Sequence, residues 1–262
     1  VTTRTYYSAD HPSCASQPAT CAYRKGDLRY IDNALGHRSE YVEFDSAGRP
    51  LRQKDANGVL TDLAYDVRGR LLSRTVRANS DGSPSANDAI TRIEYEAYGE
   101  VKRVIQPDNV GLEYCRDQAH RIKAVVQTTF ASATRCSNGA PVAGSEAIVY
   151  TLDAAGNRTK ETTLDITGAT RRLMARQFNT LGHLQAIVNA AQANQSNPTI
   201  KTSFSYDPNG NLDLTTDTLG ALPRVDDNDY DPLNRLIRSI QDKDTTAVPG
   251  NVEIGATVEY QY

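Results

Sequence analysis

Apolar and polar residues alternate in short runs along much of the chain. Val42 and Phe44 hold alternate positions before an acidic residue, and Leu63 and Tyr65 do so one run later. Successive side chains of a strand point to opposite faces, so this alternation is typical of half-buried β-strands. The pattern therefore predicts short strands that end in an aromatic residue.

The aromatic ends of these runs belong to an internal repeat. Tyr65–Asp66 restarts the pattern of Phe44–Asp45 after 21 residues. Aligning the chain on this pair gives eight starts, 21 to 36 residues apart, which are Phe44, Tyr65, Tyr95, Arg116, Leu152, Phe178, Tyr206 and Tyr230. Tyr262 would begin a ninth. Repeats of about 20–50 residues indicate an architecture of stacked units.

Each start is followed by residues suited to a tight turn. The next residue is acidic or Asn in every copy, as at Asp45, Asp66, Asp117, Asp153, Asp207 and Asp231. The residue four positions after the start is Gly48, Gly69, Gly99, His120, Gly156, Gly182, Gly210 or Asn234. Asp and Asn side chains bond backbone N–H groups two residues on, and Gly and Asn tolerate positive φ. A type I turn followed by a left-handed residue is predicted in each copy.

A second strand is predicted after each turn. The residue six positions after the start is aliphatic in six copies, namely Leu71, Val101, Ile122, Leu184, Leu212 and Leu236. A second turn, Asp55–Gly58, precedes Tyr65, so each unit holds two strands and two turns. The chain is predicted to be all-β, with about 16–18 strands in repeated antiparallel hairpins that form a large curved sheet. Closed on themselves, so many strands would leave a lumen too wide for side chains to fill.

The repeats extend over most of the chain without a linker. Residues 1–43 form an irregular N-terminal segment with a first partial repeat, and residues 44–262 hold about eight repeats with loop insertions. The insertions are polar stretches at 77–89 and roughly 131–144. A single repeat region, 1–262, is therefore predicted. Because the chain begins at Val1 and stops in mid-repeat, we expect it to be a fragment of a longer protein.

The copies resemble the repeats of the Rhs family, also called YD-repeat proteins. The resemblance is carried by Tyr65–Leu71 (YDVRGRL), Tyr206–Leu212 (YDPNGNL) and Tyr230–Leu236 (YDPLNRL), and it extends from about Tyr30 to Tyr262. It implies a hollow β-shell or spiral barrel that encloses a toxic C-terminal domain until delivery. This chain would be a structural segment of that shell.

The resemblance also implies a location and partners. A bacterial effector of this kind would be secreted or exported to the cell surface. Its partners would be the flanking repeats and the enclosed toxin domain of the same protein, with secretion machinery as a further candidate. The alternative is an extracellular adhesive or carbohydrate-binding module whose start aromatics form a sugar-binding ladder. Cross-strand packing is the preferred role of these aromatics.

Composition and charge narrow the classes of function. The 29 basic and 32 acidic side chains give a net charge of −3, and the basic ones are scattered, so nucleic-acid binding has little electrostatic support. No apolar run is long enough to span a bilayer. A hydrophobic fraction of 39% without Trp suits sheets that are wet on one face. An isolated piece of such a sheet is expected to self-associate through its open edge strands.

The four cysteines leave two alternatives open. Cys14 and Cys21 lie close together in an irregular segment, whereas Cys115 is in a predicted strand and Cys136 in the insertion after it. In an exported protein these spacings favour two local disulfides, Cys14–Cys21 and Cys115–Cys136. The other possibility is four free thiols. No Cys or His pair has the spacing of zinc ligands.

One group of acids invites a metal hypothesis. Asp227, Asp229 and Asp231 alternate, as in calcium-binding loops. Counted from Asp227, however, the EF-hand positions that require Gly and Glu hold Pro232 and Arg238. A turn-opening strand end is therefore predicted, and no cofactor.

No set of residues predicts catalysis. The string Asp207–Gly210 is similar to the Asp-Pro-x-Gly of a self-cleaving core found in some Rhs proteins, but it falls on the repeat phase and predicts a plain turn. His37 and His183 each follow a turn glycine, and His120 replaces one. Because turns explain these residues, the chain is not predicted to be an enzyme.

Overall fold

A computed structural model describes residues 2–17, 21–189, 199–218, 223–243 and 256–261. The chain divides into two compact units, residues 1–114 with 127–135, and residues 115–126 with 136–262. Tyr262, the ninth predicted start, lies outside the described residues.

The first unit is built from short strands and one 3-10 helix, Pro12–Ala15. Its strands are β1 (Thr3–Tyr6), β2 (Leu28–Asp32), β3 (Arg38–Phe44), β4 (Pro50–Lys54), β5 (Leu60–Tyr65), β6 (Leu71–Val76), β7 (Ala89–Tyr95), β8 (Val101–Ile105) and most of β9 (Val110–Arg116). Each pairs antiparallel with the next.

The second unit repeats this plan. Its strands are most of β10 (Ile122–Thr129), β11 (Cys136–Ser137), β12 (Ala140–Pro141), β13 (Ala147–Leu152), β14 (Arg158–Leu164), β15 (Thr170–Phe178), β16 (Leu184–Val188), β17 (Ile200–Tyr206), β18 (Leu212–Asp217), β19 (Arg224–Tyr230), β20 (Leu236–Lys243) and β21 (Ala256–Glu259). β10 pairs with β13, and from β13 onward each strand pairs antiparallel with the next. β11 and β12 form a separate hairpin.

The predicted chain of successive antiparallel hairpins is confirmed by this pairing. Of the 21 described strands, three lie outside the repeat pattern, because β1 belongs to the N-terminal segment and β11 and β12 to an insertion. The other 18 agree with the number expected from two strands per repeat.

The strand register explains the aliphatic residue that six copies have six positions after the start. Tyr65 stands opposite Leu71, and Tyr206 opposite Leu212, with a register shift directly before each tyrosine. The same shift precedes Tyr95, Leu152, Phe178 and Tyr230. It is the bulge that a type I turn followed by a left-handed residue creates. In the four copies that start with tyrosine, the tyrosine therefore stands opposite a leucine or a valine across the hairpin.

Buried hydrophobic residues occur in both units, and in the second unit they form two small clusters. In the first unit Phe44 and Ile105 are buried. In the second, Cys115, Ala124, Val126 and Ala147 form one cluster, and Ala175, Ala186 and Val188 form another. Most other strand residues are half-buried. The stability of the sheet therefore depends strongly on its turns and on polar side chains.

Candidate functional site

One acid holds the turn after most of the starts. At Asp66, the backbone N–H donates to the carbonyl oxygen of Arg70, and the N–H of Gly69 donates to the carbonyl oxygen of Asp66, both at 2.9 Å. One carboxylate oxygen of Asp66 also accepts the N–H groups of Arg68 and Arg70 at 2.9 Å. The same four bonds recur at Asp45, Asp117, Asp207 and Asp231.

The remaining copies use close variants of this turn. The carboxylate of Asp153 accepts the N–H of Asn157 at 2.8 Å. At the Phe178 copy, the amide oxygen of Asn179 accepts the N–H groups of Leu181 and His183. The φ angles four residues after the starts are +76° at Gly48, +83° at Gly69, +110° at Gly99, +63° at His120, +91° at Gly156, +82° at Gly182, +87° at Gly210 and +62° at Asn234.

The residue five positions after the start binds the second oxygen of the same acid. The guanidinium of Arg70 lies 2.7 Å from Asp66 Oδ2, and the amide of Asn211 donates to Asp207 Oδ2 at 2.9 Å. Equivalent pairs are Arg49–Asp45, Arg121–Asp117, Asn157–Asp153 and Arg235–Asp231. Each carboxylate is thus bonded on both oxygens within its own turn.

These bonds keep the turn acids ionised. The pKa of Asp66 lies below its usual value, chiefly because the backbone N–H of Arg70 donates to the carboxylate, with the guanidinium of Arg70 adding to the effect. The amide of Asn211 is the main cause of a lowered pKa at Asp207. A carboxylate that accepts several hydrogen bonds favours its charged form.

In three copies the start tyrosine connects its repeat to the one before it. The hydroxyl of Tyr95 donates to the carbonyl oxygen of Leu71 at 2.9 Å. Tyr206 donates to Leu184 at 2.9 Å and Tyr230 to Leu212 at 3.1 Å. In each case the acceptor is the residue six positions after the preceding start. We call this contact the inter-repeat junction.

The same junction covers the tyrosine ring. The Arg49 guanidinium lies 5.0 Å from the centre of the Tyr65 ring, and that of Arg70 lies 4.4 Å from the centre of the Tyr95 ring. At Tyr206 the imidazole of His183 takes this place, with ring centres 4.6 Å apart. The residue five positions after a start therefore binds the acid of its own turn in most copies. In three copies it also packs on the aromatic of the next repeat.

Sequence analysis did not identify this fifth position, although the signal is present. In four of the eight copies it is Arg, at positions 49, 70, 121 and 235, and in two it is Asn, at 157 and 211. A cationic or amide residue at a fixed distance from an acid indicates a hydrogen-bonded pair. Its second contact, with the next tyrosine, depends on strand register.

A row of ion pairs crosses the first unit and was also missed. Arg52 Nε lies 2.6 Å from Asp62 Oδ1, and Arg52 Nη1 lies 3.2 Å from Glu43 Oε1. Arg77 binds Asp62 and, at 2.7 Å, the nearly buried carboxylate of Asp88. Burial raises the pKa of Asp62, but hydrogen bonds from Arg52 and Arg77 outweigh it and the pKa is lowered. This row fixes the polar insertion at 77–89 to the sheet.

Charged residues hold a second segment of the first unit. The fully buried carboxylate of Glu113 accepts the N–H of Arg135, with both oxygens at 3.1 Å. Arg103 donates to the carbonyl oxygen of Ser132 at 3.1 Å and lies 2.8 Å from Glu94. Residues 131–135, which form the beginning of the insertion predicted at roughly 131–144, are therefore held to the sheet by polar bonds.

The cysteines are joined as two local disulfides. Cys14 and Cys21 are bonded, with Cα atoms 4.7 Å apart, and so are Cys115 and Cys136, with Cα atoms 5.2 Å apart. Cys115 is buried in the apolar cluster of the second unit. The first bond closes a loop within the irregular N-terminal segment, and the second ties the insertion after β10 to β9.

The residues considered for metal binding or catalysis lie in structural positions. The carboxylate of Asp231 is bonded in its turn, and that of Asp229 lies 3.6 Å from Arg238. His11 caps the 3-10 helix, and His37 accepts a turn contact from Asn33. Within the described ranges, no group of three or more His, Cys, Asp or Glu side chains is arranged to hold a metal ion.

Comparison with known families agrees with the turn pattern. Residues 44–81 match the family model of the RHS repeat. The chain therefore carries an RHS repeat, and the resemblance to the Rhs family is confirmed for this stretch. No curated protein matches the sequence significantly. In the part of the chain that the structure describes, no helix is long and apolar enough to cross a membrane.

Several solved structures have similar stretches. A chain of the Tc holotoxin pore of Photorhabdus luminescens is 15% identical, with 92% of this chain and 14% of that chain covered and a TM-score of 0.43. For the TcdB2–TccC3 complex the identity is 16%, the coverage 99% and 16%, and the TM-score 0.43. A porin-like protein from Bacteroides uniformis is 8% identical, with 87% and 92% covered and a TM-score of 0.34. The chain thus spans about one sixth or less of the two toxin chains. These similarities are too low to carry an argument, so the fold is defined by the strand pairing within this chain itself.

Proposed function

We propose that this chain is a structural segment of an Rhs-type β-shell that encloses and helps to deliver a C-terminal toxin domain of the same protein. The observation that carries the proposal is the inter-repeat junction. Tyr95, Tyr206 and Tyr230 each donate a hydrogen bond to the preceding repeat, so every such repeat is stabilised by its neighbour along the chain. The RHS repeat at residues 44–81 supports the same assignment.

Such junctions suit the extended sheet of a shell wall better than a domain with one central core. Repeats that contact only their neighbours can be added without enlarging a central core. The small buried clusters of the second unit and the half-buried strands of both units fit this construction. A further repeat of the longer protein would add at β21, whose four residues are all exposed. The edge of β21 is also where an isolated segment would self-associate.

The aromatic residues favour the shell over the adhesive or carbohydrate-binding alternative. A sugar-binding ladder would expose its rings. Here Phe44 is buried, and the other start aromatics are half-buried, namely Tyr65, Tyr95, Phe178, Tyr206 and Tyr230. Junction contacts engage the rings of Tyr65, Tyr95 and Tyr206.

Two further features support export without catalysis in this segment. The disulfides Cys14–Cys21 and Cys115–Cys136 suit an oxidising compartment. The acids of the repeat are engaged by hydrogen bonds within their own turns, which gives them a structural role.

The test is protease protection of the C-terminal domain in a longer protein that contains this chain. We expect that domain to resist digestion, and to become susceptible in the double variant Tyr206→Ala/Tyr230→Ala, which opens two junctions. Leu233→Ala, at an exposed turn tip, is the control and should leave protection unchanged. Digestion of the domain in the unaltered protein as fast as in its isolated form would contradict the proposal. Binding of glycans by the isolated chain would favour the alternative.

A further inference from the structure

The chain contains three Asn–Gly pairs, at Asn57–Gly58, Asn138–Gly139 and Asn209–Gly210. In such pairs the backbone nitrogen of glycine can attack the side-chain carbonyl carbon of asparagine. The new C–N bond closes a succinimide, and the amide nitrogen leaves as ammonia. Water then opens the ring to aspartate or isoaspartate. The reaction needs no catalyst or oxidant, but it needs the glycine N–H to be available.

In two of the pairs the glycine N–H is engaged. The N–H of Gly58 donates to the carbonyl oxygen of Asp55 at 3.0 Å, and that of Gly210 donates to Asp207 at 3.0 Å. These are the bonds that close the two turns. Attack by either nitrogen therefore requires the turn to open first, and both turns join paired strands of the sheet.

The third pair lies in a different kind of turn. Asn138 and Gly139 form the two-residue loop of the β11–β12 hairpin, where Ser137 pairs with Ala140. Their φ angles are +50° and +78°, as in a type I′ turn. In this turn the residues on either side of the loop make the closing hydrogen bond, so the Gly139 N–H is not the closing donor. The side chain of Asn138 is exposed to water.

The surroundings of Asn138 would also stabilise the product. Asn138 lines a cleft with Arg116, Asp117 and Arg121. A carboxylate formed at position 138 would lie in the same cleft as two arginines, of which Arg121 is paired with Asp117 and Arg116 donates to the carbonyl oxygen of His120. The backbone is less tolerant, since a Cβ at Gly139 would lie 2.9 Å from the carbonyl oxygen of Arg116. The extra backbone methylene of isoaspartate lengthens the chain at a point where Gly139 already lies against the backbone of Arg116, so we expect the hairpin tip to shift.

We propose that Asn138 is a site of spontaneous deamidation, selected by the fold from three equivalent sequence pairs. The inference is independent of the proposed function, because it depends only on the turn geometry of each pair. Its consequence is an additional negative charge beside Arg116 in the aged protein.

The experiment is peptide mapping by mass spectrometry after incubation of the folded protein at mildly alkaline pH. Because a turn-closing hydrogen bond must first break, Asn57 and Asn209 should deamidate about threefold to tenfold more slowly than Asn138. A parallel incubation in denaturant should remove the difference. In Asp55→Ala, which loses the carboxylate that accepts the N–H groups of Asn57 and Val59, Asn57 should deamidate faster.

Each other outcome overturns the proposal. Equal rates at the three sites in the folded protein, or no conversion at Asn138, would show that the hairpin does not select it. A preference for Asn138 that persists unchanged in denaturant would assign the selectivity to local sequence instead of the fold.

Discussion

The two units of this chain build the same hairpins but stabilise their sheets with different side chains. In the first unit, Asp62 lies between two arginines, and the buried Glu113 holds the segment that ends at Arg135. In the second, the buried positions are filled mainly by small apolar residues, such as Ala124, Val126 and Ala186. The turns and the register shifts are common to both units. The repeat therefore determines the hairpin, while the residues on the sheet faces are free to differ.

The largest effect is expected where the second unit is most apolar. Val126 is fully buried in the cluster with Ala124 and Ala147. Val126→Asp would bury a carboxylate without a partner and should lower the free energy of unfolding by about 3–5 kcal/mol. Chemical denaturation measures the change. Ile166→Asp, at an exposed turn position of the same unit, is the control and should cost about 0.5 kcal/mol or less. Similar losses in both variants would mean that the cluster is not a core.

The corresponding test in the first unit removes a charge. Asp62→Asn leaves Arg52 and Arg77 without their shared carboxylate and should cost about 1–3 kcal/mol, since water screens the pair on one side. Added salt should reduce this cost. The control is Asp229→Asn in the second unit, where the carboxylate is half exposed and 3.6 Å from Arg238. A salt-independent loss at Asp62 would indicate packing instead of charge.

The stability lost in Asp62→Asn should also depend on pH. The pKa of Asp62 in the folded protein is below its usual value of 3.8, because Arg52 and Arg77 outweigh the effect of burial. A carboxyl whose pKa is lowered by folding stabilises the folded state. This stabilisation is complete at pH values above the pKa of the unfolded chain, and it is lost as the pH falls through the pKa of the folded protein. The stability difference between the unaltered protein and Asp62→Asn should be constant near neutral pH and shrink below about pH 4. A difference that grows on acidification would contradict the ion-pair assignment.

The sequence predicts the hairpins well because their determinants are local. An acid, two variable residues and a residue with positive φ lie within five positions, as in Asp66–Arg70, and they close the turn without help from distant residues. The row from Glu43 to Asp88 was not predictable in this way. Arg52 meets Asp62, and Asp62 meets Arg77, only after three strands have been aligned, and nothing in the local pattern gives that alignment. For the same reason the polar insertion at 77–89 could not be recognised as fixed.

The shared turns give a prediction that should hold in both units. Gly69→Val forces a β-branched residue to a φ of +83° and should cost about 1–3 kcal/mol. Gly210→Val, at +87° in the second unit, should cost a similar amount. Ser46→Val occupies a turn position without positive φ and should cost less in thermal melts. Equal effects of Ser46→Val and Gly69→Val would count against the turn assignment.

The smallest effect concerns the inter-repeat junction itself. Tyr206→Phe removes the hydroxyl that donates to the carbonyl oxygen of Leu184 but keeps the ring against His183. One neutral hydrogen bond contributes about 0.5–1.5 kcal/mol, and the half-buried carbonyl would lose its side-chain donor. Tyr95→Phe, which breaks the equivalent bond in the first unit, should cost the same within error. Tyr6→Phe, at an exposed ring, is the control.

The double variant Tyr206→Phe/Tyr230→Phe sharpens this last test. Each tyrosine donates to a different repeat, at Leu184 and at Leu212, so their losses should add if each junction acts alone. A combined loss clearly larger than the sum would mean that one open junction weakens the next, as expected of a wall whose repeats stabilise one another in series. Two single variants as stable as the unaltered protein would mean that the rings hold the repeats together without the hydroxyl groups. Phenylalanine could then take the place of the start tyrosine in the other repeats. Phe44 and Phe178 already occupy this position in two copies of the chain.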